Sequence, residues 1–240
     1  MAGNNEEVRA ISTVMSSEGA LLSSARYGLE EYLENIEKFL KGKKSKLRRQ
    51  YLKWDDRIKQ LPPDKQEFYK QYWLEEFNQY SIEFPRILRN SFLVTAISLL
   101  EFELAIICKK LKEQQQIPIS WRELKGDTLE QAKRFCNVAG LNIASDNENW
   151  QNIQNVYLVR NCIVHNNGSI KGSKDERKLI KFAQQERIIS QGEDKEIDLT
   201  KQFCKEVIAL TEDFTSEVWD MVYKLRPRIL RRVKERRSLS

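Results

Sequence analysis

The chain has 240 residues, 40% hydrophobic and 32% charged, with 41 Lys and Arg against 35 Asp and Glu, 9 Gly, 5 Pro, 4 Cys and a single His. Scarce Gly and Pro beside abundant Glu, Lys, Leu and Gln favour long helices over a turn-rich all-β chain, so a mainly α protein of one large or two small domains is expected. Cys108, Cys136, Cys162 and Cys204 lie 28, 26 and 42 residues apart and no Gly-rich phosphate loop precedes a Lys-Ser or Lys-Thr, which excludes the usual zinc sites and conventional nucleotide hydrolases.

Met1-Ala-Gly-Asn-Asn-Glu-Glu has neither the basic start nor the apolar run of a secretory signal. A cytosolic chain is expected, its cysteines reduced and serving as small apolar side chains. Between residues 5 and 60, Leu22, Leu29, Leu33, Ile36 and Leu40 recur at helical spacing. That stretch reads as two amphipathic helices or one bent helix, interrupted at Gly42 and stopped at Pro62-Pro63. The basic run from Lys41 to Lys53 reads as a solvated helix face. Residues 64–82 carry Phe68, Tyr69, Tyr72, Trp73, Phe77 and Tyr80 at helical period and read as core rather than as a base-stacking platform. Helix is expected to end there, because Pro85 disfavours the α region at Phe84. A core helix then runs from about residue 86 to 113. Its most apolar part, Phe92 to Cys108, has only Glu101 and Glu103 as charges, and reads as too short and too acidic for a membrane span.

Helices are expected at 128–138 and 148–164, the second ended by Asn166-Asn167-Gly168, residues that tolerate a left-handed cap. Residues 169–174 read as a loop and 187–199 as a short β-hairpin around a Gly-containing turn. The last helix, about 200–225, is expected to stop before Pro227. The segments 1–80, 81–225 and 226–240 thus read as an N-terminal helical extension, a helical bundle and a basic tail. That tail holds Arg226, Arg228, Arg231, Arg232, Lys234, Arg236 and Arg237 against Glu235, and the rest of the chain has 34 basic and 34 acidic residues. The entire net charge of +6 therefore sits in the last fifteen residues, where it suits nonspecific contact with a phosphate backbone or a solvated terminus.

The solitary His165 ends Val159-Arg160-Asn161-Cys162-Ile163-Val164-His165. At about 100° per residue, Ile153, Val156, Val159, Ile163 and Val164 spread over an arc of about 140°, with Arg160 projecting from inside it. An unpaired guanidinium there would cost several kcal/mol, so it needs a carboxylate, a subunit interface or an anion-binding cleft. Glu101 is the candidate acid to orient it. Asn161 and His165 are four residues apart and share an adjoining face, with His165 in the last turn, where the helix dipole favours the protonated imidazole. The bland reading is a histidine that caps its helix and an arginine that pairs with a core acid.

Arg160-Asn161-x-x-x-His165 resembles the Arg-x(4 to 6)-His motif of the HEPN superfamily (higher eukaryotes and prokaryotes nucleotide-binding), in which a polar residue, often Asn, follows the Arg. The flanking Leu-Val-Arg-Asn-Cys-Ile-Val-His-Asn-Asn-Gly is similar to uncharacterised bacterial members, and Phe84 to Glu101 is similar to their first bundle helix. The resemblance covers about residues 80–225, and residues 1–80 match nothing in that family.

The resemblance implies an antiparallel bundle that dimerises so that two motifs face one cleft. Many members are metal-independent endoribonucleases of toxin–antitoxin and antiviral defence systems, with no cofactor. In that role His165 is the general acid/base, Arg160 binds and stabilises the phosphate, and Asn161 orients the site or contacts the phosphate. Cleavage by the RNA's own 2′-hydroxyl requires a base and an acid, and one chain supplies one histidine, so a homodimer is expected independently. Arg228, Arg231, Arg232, Lys234, Arg236 and Arg237 are the expected RNA contacts of the tail. Partners are RNA, a second copy and an antitoxin or defence-system protein, with no membrane. The alternative is a non-catalytic HEPN adaptor that binds RNA or a partner protein. Nucleotide transfer is disfavoured, because no paired metal-binding carboxylates lie near a Gly-Ser motif.

Overall fold

The structure is a computed structural model that describes residues 3–190 and 195–238, with side chains described for 21–190 and 195–225. The chain is a multi-helix, mainly α bundle: α1 (Gly3–Ile58), α2 (Pro63–Asn78), α3 (Phe84–Gln115), α4 (Thr128–Val138), α5 (Glu148–Asn166), α6 (Glu176–Gln185) and α7 (Lys201–Ser238). At its centre α3 packs against α1, α4, α5 and α7. Phe92, Leu93, Ala96, Ile97, Leu100, Leu104, Ile107 and Cys108 of α3 are fully buried, so apolar burial against four neighbours accounts for its length.

The helix containing α2 and α3 runs unbroken from Pro63 to Gln115 and includes an 18-residue window apolar enough, by length and composition, to cross a membrane. The expectation that this region is too short to span is therefore corrected. Its chemistry nevertheless fits a protein core: half of that window is buried inside the fold, and Glu103 of the same helix is buried and ion-paired to Arg26.

Two prolines and a glycine do not break helices where the sequence suggests they should. Phe84 is helical (φ −64°, ψ −42°), and its N–H reaches the Gln79 carbonyl five residues back. A π turn at Gln79–Glu83 widens the ladder just where Pro85 has no N–H to donate, so the chain passes from α2 into α3 without a stop. The expected division near residue 80 falls inside this turn. Gly42 leaves α1 continuous, because Leu33, Ile36, Leu40 and Leu47 on both sides of it are buried and outweigh a glycine cost of about 1 kcal/mol. Likewise α7 continues through Pro227 to Ser238 instead of stopping. The tail side chains Arg228, Arg231, Arg232, Lys234, Arg236 and Arg237 lie outside the described residues.

α1 is fastened to the bundle by charge as well as by its leucines. Arg26 pairs with Glu103 of α3 and also donates to Thr215 Oγ1 of α7, while Trp219 Nε1 donates to the other Glu103 oxygen at 2.9 Å. Arg89 holds Glu37 through two hydrogen bonds of 2.8 and 3.1 Å and donates to the Leu199 carbonyl at 3.0 Å. Lys201 and Lys205 each reach Glu34 at 2.8 Å.

α2 differs from expectation: none of its residues is buried. Its aromatic side chains are therefore not core.

In place of a regular hairpin, residues 187–199 make isolated antiparallel bridges, Ile189 with Ile197 and Ser169 with Glu196, while residues 191–194 lie outside the described residues. α6 is an amphipathic helix beyond those expected from the sequence; it buries Leu179 and Ala183.

Candidate functional site

α5 is positioned at both ends by local chemistry. Asn147 caps its start, accepting from Trp150 N–H at 2.8 Å, and donates from Nδ2 to Glu217 of α7 at 2.8 Å. At its end Asn167 turns left-handed (φ 51°), followed by Gly168 (φ 83°), whose N–H returns to the Cys162 carbonyl at 3.2 Å. The chain then doubles back. Ile197 N–H donates to Gly168 O at 2.8 Å and Ile170 N–H to Lys195 O at 2.9 Å, and Ser173 N–H closes a turn on Ile170 O at 3.1 Å. This stitching returns residues 173–175 to the last turns of α5.

The result is a cavity of about 280 Å³ lined by Asn161, His165, Ser173, Lys174 and Asp175 over a floor formed by Leu158, Cys162 and Leu179. Asn161 and His165 share it, as their spacing of four requires. His165 is exposed, and no hydrogen bond holds its imidazole among the described residues. Ser173 has a buried Oγ without a hydrogen-bond partner. Asp175 is drawn away by Lys178 at 3.7 Å, whereas Lys174 makes no ion pair among the described residues.

Arg160 stands one residue and about 100° away, outside that lining. Its Nη1 donates to Asn161 Oδ1 at 3.0 Å, its guanidinium carbon lies 5.7 Å from the centroid of the Tyr157 ring, and its buried Nε has no partner. It makes no ion pair among the described residues. Glu101 does not meet it directly: the carboxylate accepts from Tyr157 Oη at 3.1 Å, so acid, ring and guanidinium form a relay. Burial, with the Glu101 charge adding to it, pushes the Tyr157 hydroxyl up to about 12, and it stays a donor to that carboxylate. The apolar stripe ends early, with Ile153, Val156 and Val159 buried but Val164 exposed.

The motif thus arrives in two parts. Asn161 and His165 face the cavity, and Asn161 joins them to an arginine that, among the described residues, has neither an acid partner nor a satisfied Nε. Such a group stabilises the fold poorly and suits an incoming phosphate well, because a guanidinium matches two phosphate oxygens at once. Ser173 and Lys174 are legible only as a polar loop, and Asp175 falls outside it. What brings them here is long-range pairing with residues 195–197, which leaves no local signal. No family model matches this chain, and no curated protein or solved structure matches it either.

Proposed function

We propose that this protein is a metal-independent endoribonuclease of the HEPN type, acting in the cytosol within a defence or toxin–antitoxin system and cleaving RNA at a site shared by two chains. The observation that carries this reading is an arginine with, among the described residues, no acid partner and an unpartnered buried Nε, hydrogen-bonded to an asparagine that shares a cavity with the chain's only histidine. In the reaction the RNA 2′-oxygen attacks the adjacent phosphorus, the new P–O2′ bond forms and the P–O5′ bond breaks. One His165 takes the 2′-proton and the second, from the other chain, protonates the leaving O5′, leaving a 2′,3′-cyclic phosphate and a 5′-hydroxyl. Arg160 stabilises charge on the non-bridging oxygens, and Asn161 fixes its direction. Lys174 and the Ser173 hydroxyl add a charge and a donor at the cavity rim. The basic tail adds affinity and no chemistry.

His165→Ala should lower cleavage about 10²-fold or more with little change in folding. Arg160→Ala should do the same and also release Asn161. Heterodimers of the two inactive chains test the sharing: partial recovery means that one Arg160 and one His165 drawn from different chains suffice, and no recovery fits a need for both motifs. Equal cleavage by wild type and both variants overturns the reading. The free imidazole of His165, oriented by nothing among the described residues, favours the second reading, a non-catalytic adaptor that binds RNA or a partner protein. That reading stands if purified wild-type chain binds RNA and cuts none.

A further inference from the structure

α2 buries no residue, yet it carries five aromatic side chains, among them Phe68 at 66% exposure and Tyr72 at 54%. Soluble chains seldom leave so large an aromatic face open without a partner. Where α2 lies against α1, a groove of about 460 Å³ opens, within the range of roughly 300–1,000 Å³ usual for ligand pockets. Its walls are Tyr51, Trp73 and Phe77, with Leu47 and Leu74 between them and Arg48 and Lys70 at its edge. Tyr51 and Trp73 meet edge to face at 6.2 Å, which leaves ring faces available for stacking.

The charges decide what the groove takes. No carboxylate lines it, and neither Arg48 nor Lys70 makes an ion pair among the described residues. Arg48 belongs to the run Lys41 to Lys53, which holds seven cations and no acid over about 18 Å of helix. An apolar protein helix laid in the groove would desolvate two cations and offer them nothing. A flat aromatic group joined to phosphates satisfies both halves of the surface, rings by stacking and cations by charge.

We propose that the α1–α2 groove is a binding site for single-stranded RNA, with a base stacked on Tyr51, Trp73 or Phe77 and its phosphates held by Arg48, Lys70 and the cations that follow along α1. The choice of RNA rests on the proposed nuclease function; the groove's own role is capture, and no step of cleavage passes through it.

The test uses full-length His165→Ala chain, so that RNA survives the measurement, and fluorescence anisotropy with a labelled short oligouridylate, a labelled oligoadenylate and a duplex of the same length. Two double variants are compared, Arg48→Ala with Lys70→Ala and Tyr51→Ala with Phe77→Ala, their helicity checked by circular dichroism. Each should weaken single-strand binding about tenfold or more, the stacking pair doing so even at high salt where phosphate contacts fade. Binding unchanged within twofold in both pairs overturns the proposal, as does a duplex bound as tightly as the single strand. Self-association that the Tyr51→Ala and Phe77→Ala pair abolishes, without loss of RNA binding, assigns the groove to a second copy and also overturns it. The two readings fail separately. Groove-dependent binding by a wild-type chain that cuts nothing removes the nuclease and keeps this site, whereas cleavage with groove-independent binding does the reverse.

Discussion

Arg26→Ala removes the cation paired with Glu103. That carboxylate is 2% exposed and accepts from Arg26 and from Trp219 Nε1, so the variant leaves a buried charge with a single neutral donor. Breaking a buried pair from one side costs about 3–5 kcal/mol, of which the desolvated carboxylate accounts for most. The Thr215 hydroxyl, which accepts from Arg26 and donates to the Thr211 carbonyl at 2.9 Å, keeps its donor role and adds little. Arg26→Met with Glu103→Gln is the informative control. It removes both charges, retains an oxygen for Trp219 and keeps the stem that packs between α1 and α3, so it should recover most of the loss. Urea denaturation of wild type, Arg26→Met, Glu103→Gln and the double variant gives the coupling energy directly, and about 2 kcal/mol or more is expected. If Arg26→Ala costs under about 1 kcal/mol, α1 is not held to the bundle through Glu103, and the reasoning that ties the N-terminal helix to the core is refuted.

The thiols of Cys162 and Cys204 are pushed up by burial, Cys204 to about 12, and that of Cys108 is pushed up by its contact with Cys136 and then by burial, so the folded chain should resist Ellman's reagent at mildly alkaline pH and react fully in denaturant; rapid labelling of the native protein would contradict this. The hydrogen bonds from Lys201 and Lys205 hold the Glu34 carboxyl down to about 2, below its usual value near 4.5. Its stabilising effect is therefore complete above the ordinary carboxylate range and is lost as pH falls towards 2. The stability gap between wild type and Glu34→Gln should be flat above about pH 5 and close on acidification, and a gap that widens in acid would reverse the sign. Truncation before Arg226 should weaken RNA binding at low salt and flatten its salt dependence while leaving turnover at saturating RNA unchanged; loss of turnover would give the tail a catalytic or structural part.

Local signals in the sequence carried far where caps and periodicity agree. Asp127 accepts from the Glu130 N–H and Asn147 from the Trp150 N–H, which is why the starts of α4 and α5 were readable to the residue. The end of α5 at Asn166-Asn167-Gly168 was readable for the same kind of reason. Proline and glycine misled, because tertiary burial overrode them: a π turn absorbs Pro85, and the buried leucines of α1 carry Gly42. The aromatic run of α2 shows the limit of periodicity. It correctly gives a helix, but whether a helical aromatic face is core or surface depends on what packs over it, and here the contact with α1 leaves no residue of α2 buried. At the site, spacing placed Asn161 and His165 together. The relay from Arg160 through Tyr157 to Glu101 was half visible, since Glu101 was singled out but the ring between them was not. Ser173 and Lys174 were invisible, since only the pairing of 168–170 with 195–197 brings them to the cavity.

The measurement that bears most directly on the central claim is the chemistry of the RNA ends left by purified chain in the presence of EDTA. A 2′,3′-cyclic phosphate and a 5′-hydroxyl from wild type, with both absent from His165→Ala prepared identically, is the predicted result. Ends bearing a 5′-phosphate, cleavage that EDTA abolishes, or products that persist at full yield in His165→Ala would contradict it.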